Sequence, residues 1–132
     1  MMAEGRPTQV PKKILAVDDD PDVRLLLTLI LDAAGYDVGT ARDAYEALFM
    51  LEHTGPDLLL LDLMMPERDG WDVIEAVRAN PATRDLPIVA MSAKFSLFNS
   101  REHGVQGYVR KPLDATAMLD TLDEVLRQGE FH

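Results

Sequence analysis

Short apolar runs alternate with stretches whose apolar residues recur every three or four positions, and the alternation continues from residue 14 to residue 126. Ile14-Leu15-Ala16-Val17 is uninterrupted, as in a strand buried on both faces. Asp20-Pro21 follows, an N-cap residue with proline at the first helical position. Val23, Leu26, Leu27, Ile30 and Ala34 then repeat at helical spacing until Gly35 stops the helix. Residues 37–41 read as a second, weaker strand. Ala44, Ala47, Leu48 and Leu51 mark a second helix ending near Gly55-Pro56. Four leucines at 58–61 form a third strand, too short for a helix between its flanking breakers. A loop with Met65-Pro66 leads to Gly70, which opens a third helix carrying Val73, Ile74 and Val77. Residues 88–91 and 107–110 are the fourth and fifth strands. Asp114 caps a last helix with Ala115, Met118, Leu119, Leu122, Val125 and Leu126 on one face.

Five strands interleaved with helices predict an α/β fold, a parallel sheet with helices on both faces and right-handed crossovers. The strands lack the polar alternation of a sheet with one wet face, which agrees. At 132 residues the chain is one domain, predicted to span 13–128. Residues 1–12 are polar, contain Gly5, Pro7 and Pro11, and read as a disordered tail; 129–132 form a short polar end. Nothing at the start resembles a signal peptide, and no apolar stretch approaches a membrane span. A cytoplasmic protein without a membrane partner is the expectation.

In an open parallel sheet, ligands bind beyond the carboxyl ends of the strands. Asp18, Asp19 and Asp20 follow the first strand, Asp62 the third, Ser92 the fourth, and Lys111-Pro112 the fifth. Asp20 reads as a helix cap. Asp62 closes a run of four leucines, where an uncompensated carboxylate is costly. Carboxylates crowded together drive one another toward protonation unless a cation is supplied. Lys111 supplies one positive charge, and a divalent cation supplies more. The chain has no cysteine, which excludes thiolate sites, and oxygen donors without His point to magnesium rather than zinc. Asp and Glu number 23 against 13 Lys and Arg, a net charge of −10 that disfavours nucleic acid as a partner. Acidity thus enters twice, as a bulk property and as a local cluster.

With those residues in place, the chain resembles the receiver domain of two-component response regulators, in the stand-alone, single-domain form. The segments that carry the resemblance are ILAVDDDPDVR, LLLLDLMMPERDGWDV, IVAMSA and GYVRKP, four separated motifs in the right order. The resemblance runs from about Lys13 to Arg127. It implies a doubly wound, flavodoxin-like sheet of order 2-1-3-4-5. It implies that Asp62 accepts a phosphoryl group from a histidine kinase or histidine phosphotransferase. Asp18 and Asp19 would hold Mg²⁺ with Asp62 and the Met64 backbone carbonyl. Ser92 and Lys111 would bind the phosphoryl group, Ser92 and Tyr108 would form a conformational switch, and the Lys111-Pro112 bond would be cis.

Two features depart from the family pattern. The segment between Ser92 and Gly107 is a few residues short and a poor helix former, so the family's fourth helix is expected to be short, irregular, displaced or missing; the alternative is a compact loop with Phe95 and Phe98 tucked inward. Leu25 and Leu29 on the first helix, and Tyr45 and Phe49 on the second, lie off the core stripes and form a candidate surface for a partner or a second copy. The downstream target is left open. The alternative function is a phosphorylation-independent interaction module on the same fold. A different Mg²⁺-dependent phosphotransferase or phosphatase would need Glu67 or Asp69 as an acid or base. His53, His103 and His132 read as solvated, and Trp71 as packing near the site loop.

Overall fold

The computed structural model describes residues 10–65, 70–93 and 104–129. Five strands, β1 (Lys13–Val17), β2 (Asp37–Ala41), β3 (Leu58–Asp62), β4 (Ile88–Ser92) and β5 (Gly107–Arg110), form one parallel sheet of order β2-β1-β3-β4-β5. This is the expected flavodoxin-like arrangement. Helices α1 (Pro21–Ala33), α2 (Ala44–Thr54), α3 (Gly70–Ala79) and α4 (Ala115–Gly129) cover its two faces. The expected irregular helix between Ser92 and Gly107 concerns 94–103, with Phe95 and Phe98, and lies outside the described residues, as does the tail at 1–9. Helix α4 continues through Gly129, one residue past the expected domain edge. Among the described residues no helix is long and apolar enough to cross a membrane.

Strand alternation divides the core in two. Leu15, Val17, Leu59, Leu61, Ile88 and Ala90 pack with Ala47, Leu51, Val73 and Val77 of α2 and α3. Ile14, Ala16, Leu58, Leu60, Val89 and Met91 pack with Leu27, Leu31, Met118 and Leu122 of α1 and α4. The four-leucine run thus serves both faces, because successive side chains of a strand point to opposite sides. Asp18, Asp62 and Lys111 continue the alternation of the α1/α4 set, whereas Ser92 continues that of the α2/α3 set. Both parities meet at the carboxyl end, where Asp62 pairs with Met91 and Ser92 with Arg110 in the register.

Helix α1 starts as expected, with the Asp20 side chain accepting the Asp22 N–H at 2.9 Å and Pro21 behind it. Its core stripe differs from the sequence reading. Leu27 and Leu31 are buried and Val23 and Ile30 partly so, while Leu26 is 44% exposed and Ala34 faces solvent. Spacing alone did not distinguish Leu26 from Leu31, because leucine occupies five positions of this helix on more than one face. Helix α2 is capped by Asp43, which accepts the Glu46 N–H, and ends at Gly55 in the left-handed region.

A candidate acidic phosphoryl and metal site

Asp18 lies one residue past β1, and its N–H still reaches the last residue of β2, bonding the Ala41 carbonyl at 3.1 Å. Its carboxylate is fully buried; Oδ1 accepts the Asp20 N–H at 3.0 Å and Oδ2 accepts Lys111 Nζ at 2.8 Å. Asp62 ends β3 and is 2% exposed. Its Oδ1 accepts the Met64 N–H at 3.0 Å, and its Oδ2 lies 3.3 Å from Lys111 Nζ. Asp19 is exposed, yet one carboxylate oxygen from each of Asp18, Asp19 and Asp62 falls within 4.8 Å of the others. Ser92 closes β4 and is buried. The Tyr108 hydroxyl on β5 donates to the Ser92 carbonyl at 3.1 Å, and the Lys111 N–H donates to the same oxygen at 3.1 Å. The Lys111-Pro112 peptide is cis.

One ammonium cannot neutralise three carboxylates. Burial pushes the Asp62 carboxyl up from its ordinary range; the Met64 N–H counteracts this, Asp18 adds to it, and Lys111 opposes it. Burial works against the Lys111 ammonium, but its hydrogen bond to Asp18 and the charges of Asp62 and Asp18 outweigh that and raise it. The pocket keeps Lys111 charged and retains an excess of negative charge. A hard divalent cation fits this donor set of carboxylate oxygens, without imidazole or thiolate, better than a zinc-type ion does. Asp18, Asp19 and Asp62 are the groups that would hold it.

The tertiary structure thus gathers Asp18, Asp19, Asp62, Ser92, Lys111 and Tyr108 from four strand ends. Met64 is 54% exposed, and its described contact with the site is through its N–H. The candidate partner residues lie elsewhere: Leu25 and Leu29 are each 60% exposed on α1, and Tyr45 and Phe49 are exposed on α2. His53 is exposed as expected, with its ring stacked on Phe49 at 4.1 Å. Trp71 packs against the α2/α3 side of the core. Glu67, Asp69, Lys94, His103 and His132 lie outside the described residues.

Gly70 is a residue whose importance the sequence reading understated. A Cβ on Gly70 would sit 2.6 Å from the Asp62 carbonyl oxygen and 2.8 Å from Leu63 Cα, and the Gly70 N–H bonds the Leu63 carbonyl at 3.2 Å. The start of α3 therefore rests on the backbone of the residue that bears the central carboxylate. Its only sequence signal was a glycine at a helix start, which local helix rules already explain.

Comparison with known proteins places these features together. The family model described as the response regulator receiver domain matches residues 14–123. The DNA-binding dual master transcriptional regulator RpaA of Synechocystis sp. is 35% identical over 124 residues, covering 89% of this chain and 50% of that protein. The alkaline phosphatase synthesis transcriptional regulatory protein PhoP of Bacillus subtilis is 37% identical over 123 residues, covering 91% and 50%. The chain spans about half the length of both. The structure of chemotaxis protein CheY4 of Vibrio cholerae superimposes with a TM-score of 0.81 at 30% identity, covering 88% of this chain and 99% of that one.

Proposed function

Because the chain belongs to the response regulator receiver family, we propose that Asp62 is a phosphoacceptor, charged by a phosphohistidine on a histidine kinase or histidine phosphotransferase in a Mg²⁺-dependent reaction. The observation that carries this reading is the pocket itself. Three carboxylates converge within 4.8 Å, and Lys111 bridges Asp18 and Asp62.

In the transfer, a carboxylate oxygen of Asp62 forms a bond to phosphorus while the phosphorus–nitrogen bond of the donor breaks. The donor imidazole keeps the bonding pair and takes up a proton. Asp62 needs no general base for this, since a carboxylate is already a nucleophile when ionised. Its obstacle is the negative charge of the incoming group. Lys111, 3.3 Å from Asp62, is placed to offset that charge. When bound by Asp18, Asp19, Asp62 and the Met64 carbonyl, Mg²⁺ supplies further positive charge at the phosphoryl oxygens. The Ser92 hydroxyl donates to one of those oxygens. Ser92 also shares its carbonyl with the hydroxyl of Tyr108, so a shift of Ser92 toward a phosphoryl group is felt on β5, an arrangement suited to a two-state switch. The net charge of −10 supports a protein rather than nucleic acid as the readout of this domain. Leu25 and Leu29 on α1, and Tyr45 and Phe49 on α2, offer apolar anchors for a partner.

Incubation with a small phosphoryl donor and Mg²⁺, followed by intact-mass spectrometry, tests the reading. One phosphoryl adduct is expected on the wild-type chain and none on Asp62→Asn or after chelation. An adduct that persists in Asp62→Asn sinks the proposal.

A further inference from the structure

Where β1 ends, the carbonyl of Asp18 is received by a side chain. Arg24, one turn into α1, donates from Nη1 to that oxygen at 2.8 Å. Its own N–H bonds the Asp20 carbonyl at 3.0 Å, so the residue holds the 18–20 turn through both backbone and side chain. Arg24 is half-buried, and a hydrogen bond with an ionised donor is about twice as strong as a neutral one. The Asp18 carbonyl and the Asp19 nitrogen belong to the same planar peptide unit. Gripping the carbonyl therefore orients the plane from which Asp19 departs.

The three acids differ in how they are held. Asp18 is fixed by the Asp20 N–H and Lys111, and Asp62 by the Met64 N–H and Lys111. Asp19 is exposed, and its place beside the other two follows from the turn that carries it. Resting on the Mg²⁺-dependent reading above, we propose that Arg24 is a positioning residue for the cation site: it locks the 18–20 turn so that the Asp19 carboxylate stays with those of Asp18 and Asp62.

This role makes a prediction opposite in sign to simple electrostatics. A guanidinium carries a positive charge, and a positive charge near a cation site weakens cation binding. Acting only through charge, Arg24 would hinder Mg²⁺, and its removal would tighten binding. Acting through the turn, its removal loosens binding.

Calorimetric titration of Mg²⁺ alone into the full chain separates the two. Arg24→Met keeps the apolar stem and removes both donor and charge; Arg24→Lys keeps the charge and loses the planar fork. Arg24→Met is expected to bind Mg²⁺ about tenfold more weakly, the range for contacts that orient metal ligands from behind. Arg24→Lys should fall between it and the wild type. At saturating Mg²⁺, the rate of phosphoryl uptake should return to the wild-type value in both, a split that general loosening of the fold does not produce. Equal or tighter Mg²⁺ binding by Arg24→Met overturns the proposal. If that variant does not fold, Arg24→Lys decides, with unchanged or tighter binding counting against it. A wild-type chain that takes up no Mg²⁺ sinks the parent reading and this inference with it. A wild type that binds beside an equally competent Arg24→Met sinks the inference alone.

Discussion

At the carboxyl end of the sheet the Lys111 ammonium lies between two carboxylates, Asp18 at 2.8 Å and Asp62 at 3.3 Å, with Asp19 alongside. At the amino end the Arg78 guanidinium lies among neutral oxygens. It donates to the carbonyls of Gly104 at 2.7 Å from Nη2, and of Arg84 and Leu86 at 2.7 Å each from Nη1, and to Gln106 Oε1 at 2.9 Å. Gln106 in turn pairs with the backbone of Ile88, its Oε1 accepting the N–H and its own N–H donating to the carbonyl. Burial pulls the Arg78 guanidinium down while Asp85 opposes this, and it stays charged. Arg78 thus ties the end of α3, the loop before β4 and the approach to β5 into one node. Its hydrogen-bonding capacity is met by dipoles that carry no net charge. The carboxyl-end pocket, by contrast, retains negative charge that only an added cation or proton can relieve. One end of the sheet is complete in itself, and the other is arranged to receive something.

Breaking the complete end should be the larger insult to folding. Arg78→Met deprives the Gly104, Arg84 and Leu86 carbonyls of their donor, and a loss of about 2–4 kcal/mol is expected from urea unfolding. Mg²⁺ affinity of the folded fraction should be unchanged. A loss well under about 1 kcal/mol would erase the contrast between the two ends.

Gly70→Ala attacks the receiving end through its backbone. The new Cβ meets the Asp62 carbonyl and Leu63 Cα, neither of which is a flexible side-chain tip, so a loss of about 1–3 kcal/mol is expected. Phosphoryl uptake should fall with it, because the end of β3 must shift. Full stability with full uptake would show that α3 can move independently of β3.

Asp62→Asn should do the reverse of an ordinary buried mutation. In chelator, at neutral pH, it should stabilise the chain by about 1 kcal/mol, and with Mg²⁺ present it should abolish uptake. The sign follows from linkage. The folded-state Asp62 carboxyl is raised above its ordinary value of 3.8, so the folded state binds the proton more tightly than the unfolded one. Wild-type stability therefore falls as pH rises from the ordinary carboxylate value through the raised one. The advantage of Asp62→Asn should grow over that window and shrink below it, as melting temperatures across a pH series will show. A destabilised Asp62→Asn at neutral pH would mean that the Met64 N–H and Lys111 together outweigh burial and Asp18.

Most of the candidate site was legible because its acids, Ser92 and Lys111 stand at or just past the carboxyl ends of strands that the apolar pattern marks. Asp62 ending β3 behind four leucines, Asp18 and Asp19 just past β1, Ser92 ending β4 and Lys111 just past β5 all lie at such boundaries. Gly70, Arg24 and Arg78 were not legible. Each reads as an ordinary helix residue, and its weight comes from a contact with backbone elsewhere: the Asp62 carbonyl, the Asp18 carbonyl and the Gly104 carbonyl. Backbone carbonyls are present at every position, so sequence cannot say which of them lacks a partner. The α1 stripe was misassigned for a related reason, since leucines on several faces leave the buried one to be selected by packing against the sheet.

The amino-acid sequence by itself determined the alternation of strands and helices, because burial on two faces requires unbroken apolar runs and helices require a 3.6-residue period. It also determined which side chains stand at each strand end. Only the tertiary structure decided that Lys111 reaches Asp18 more closely than Asp62, that Asp19 stays exposed while Asp18 is sealed, and that the opposite end is closed by Arg78. Those outcomes depend on distances across residues 18 to 111 and 78 to 104. Such distances are set by sheet register and helix packing, to which no local pattern refers.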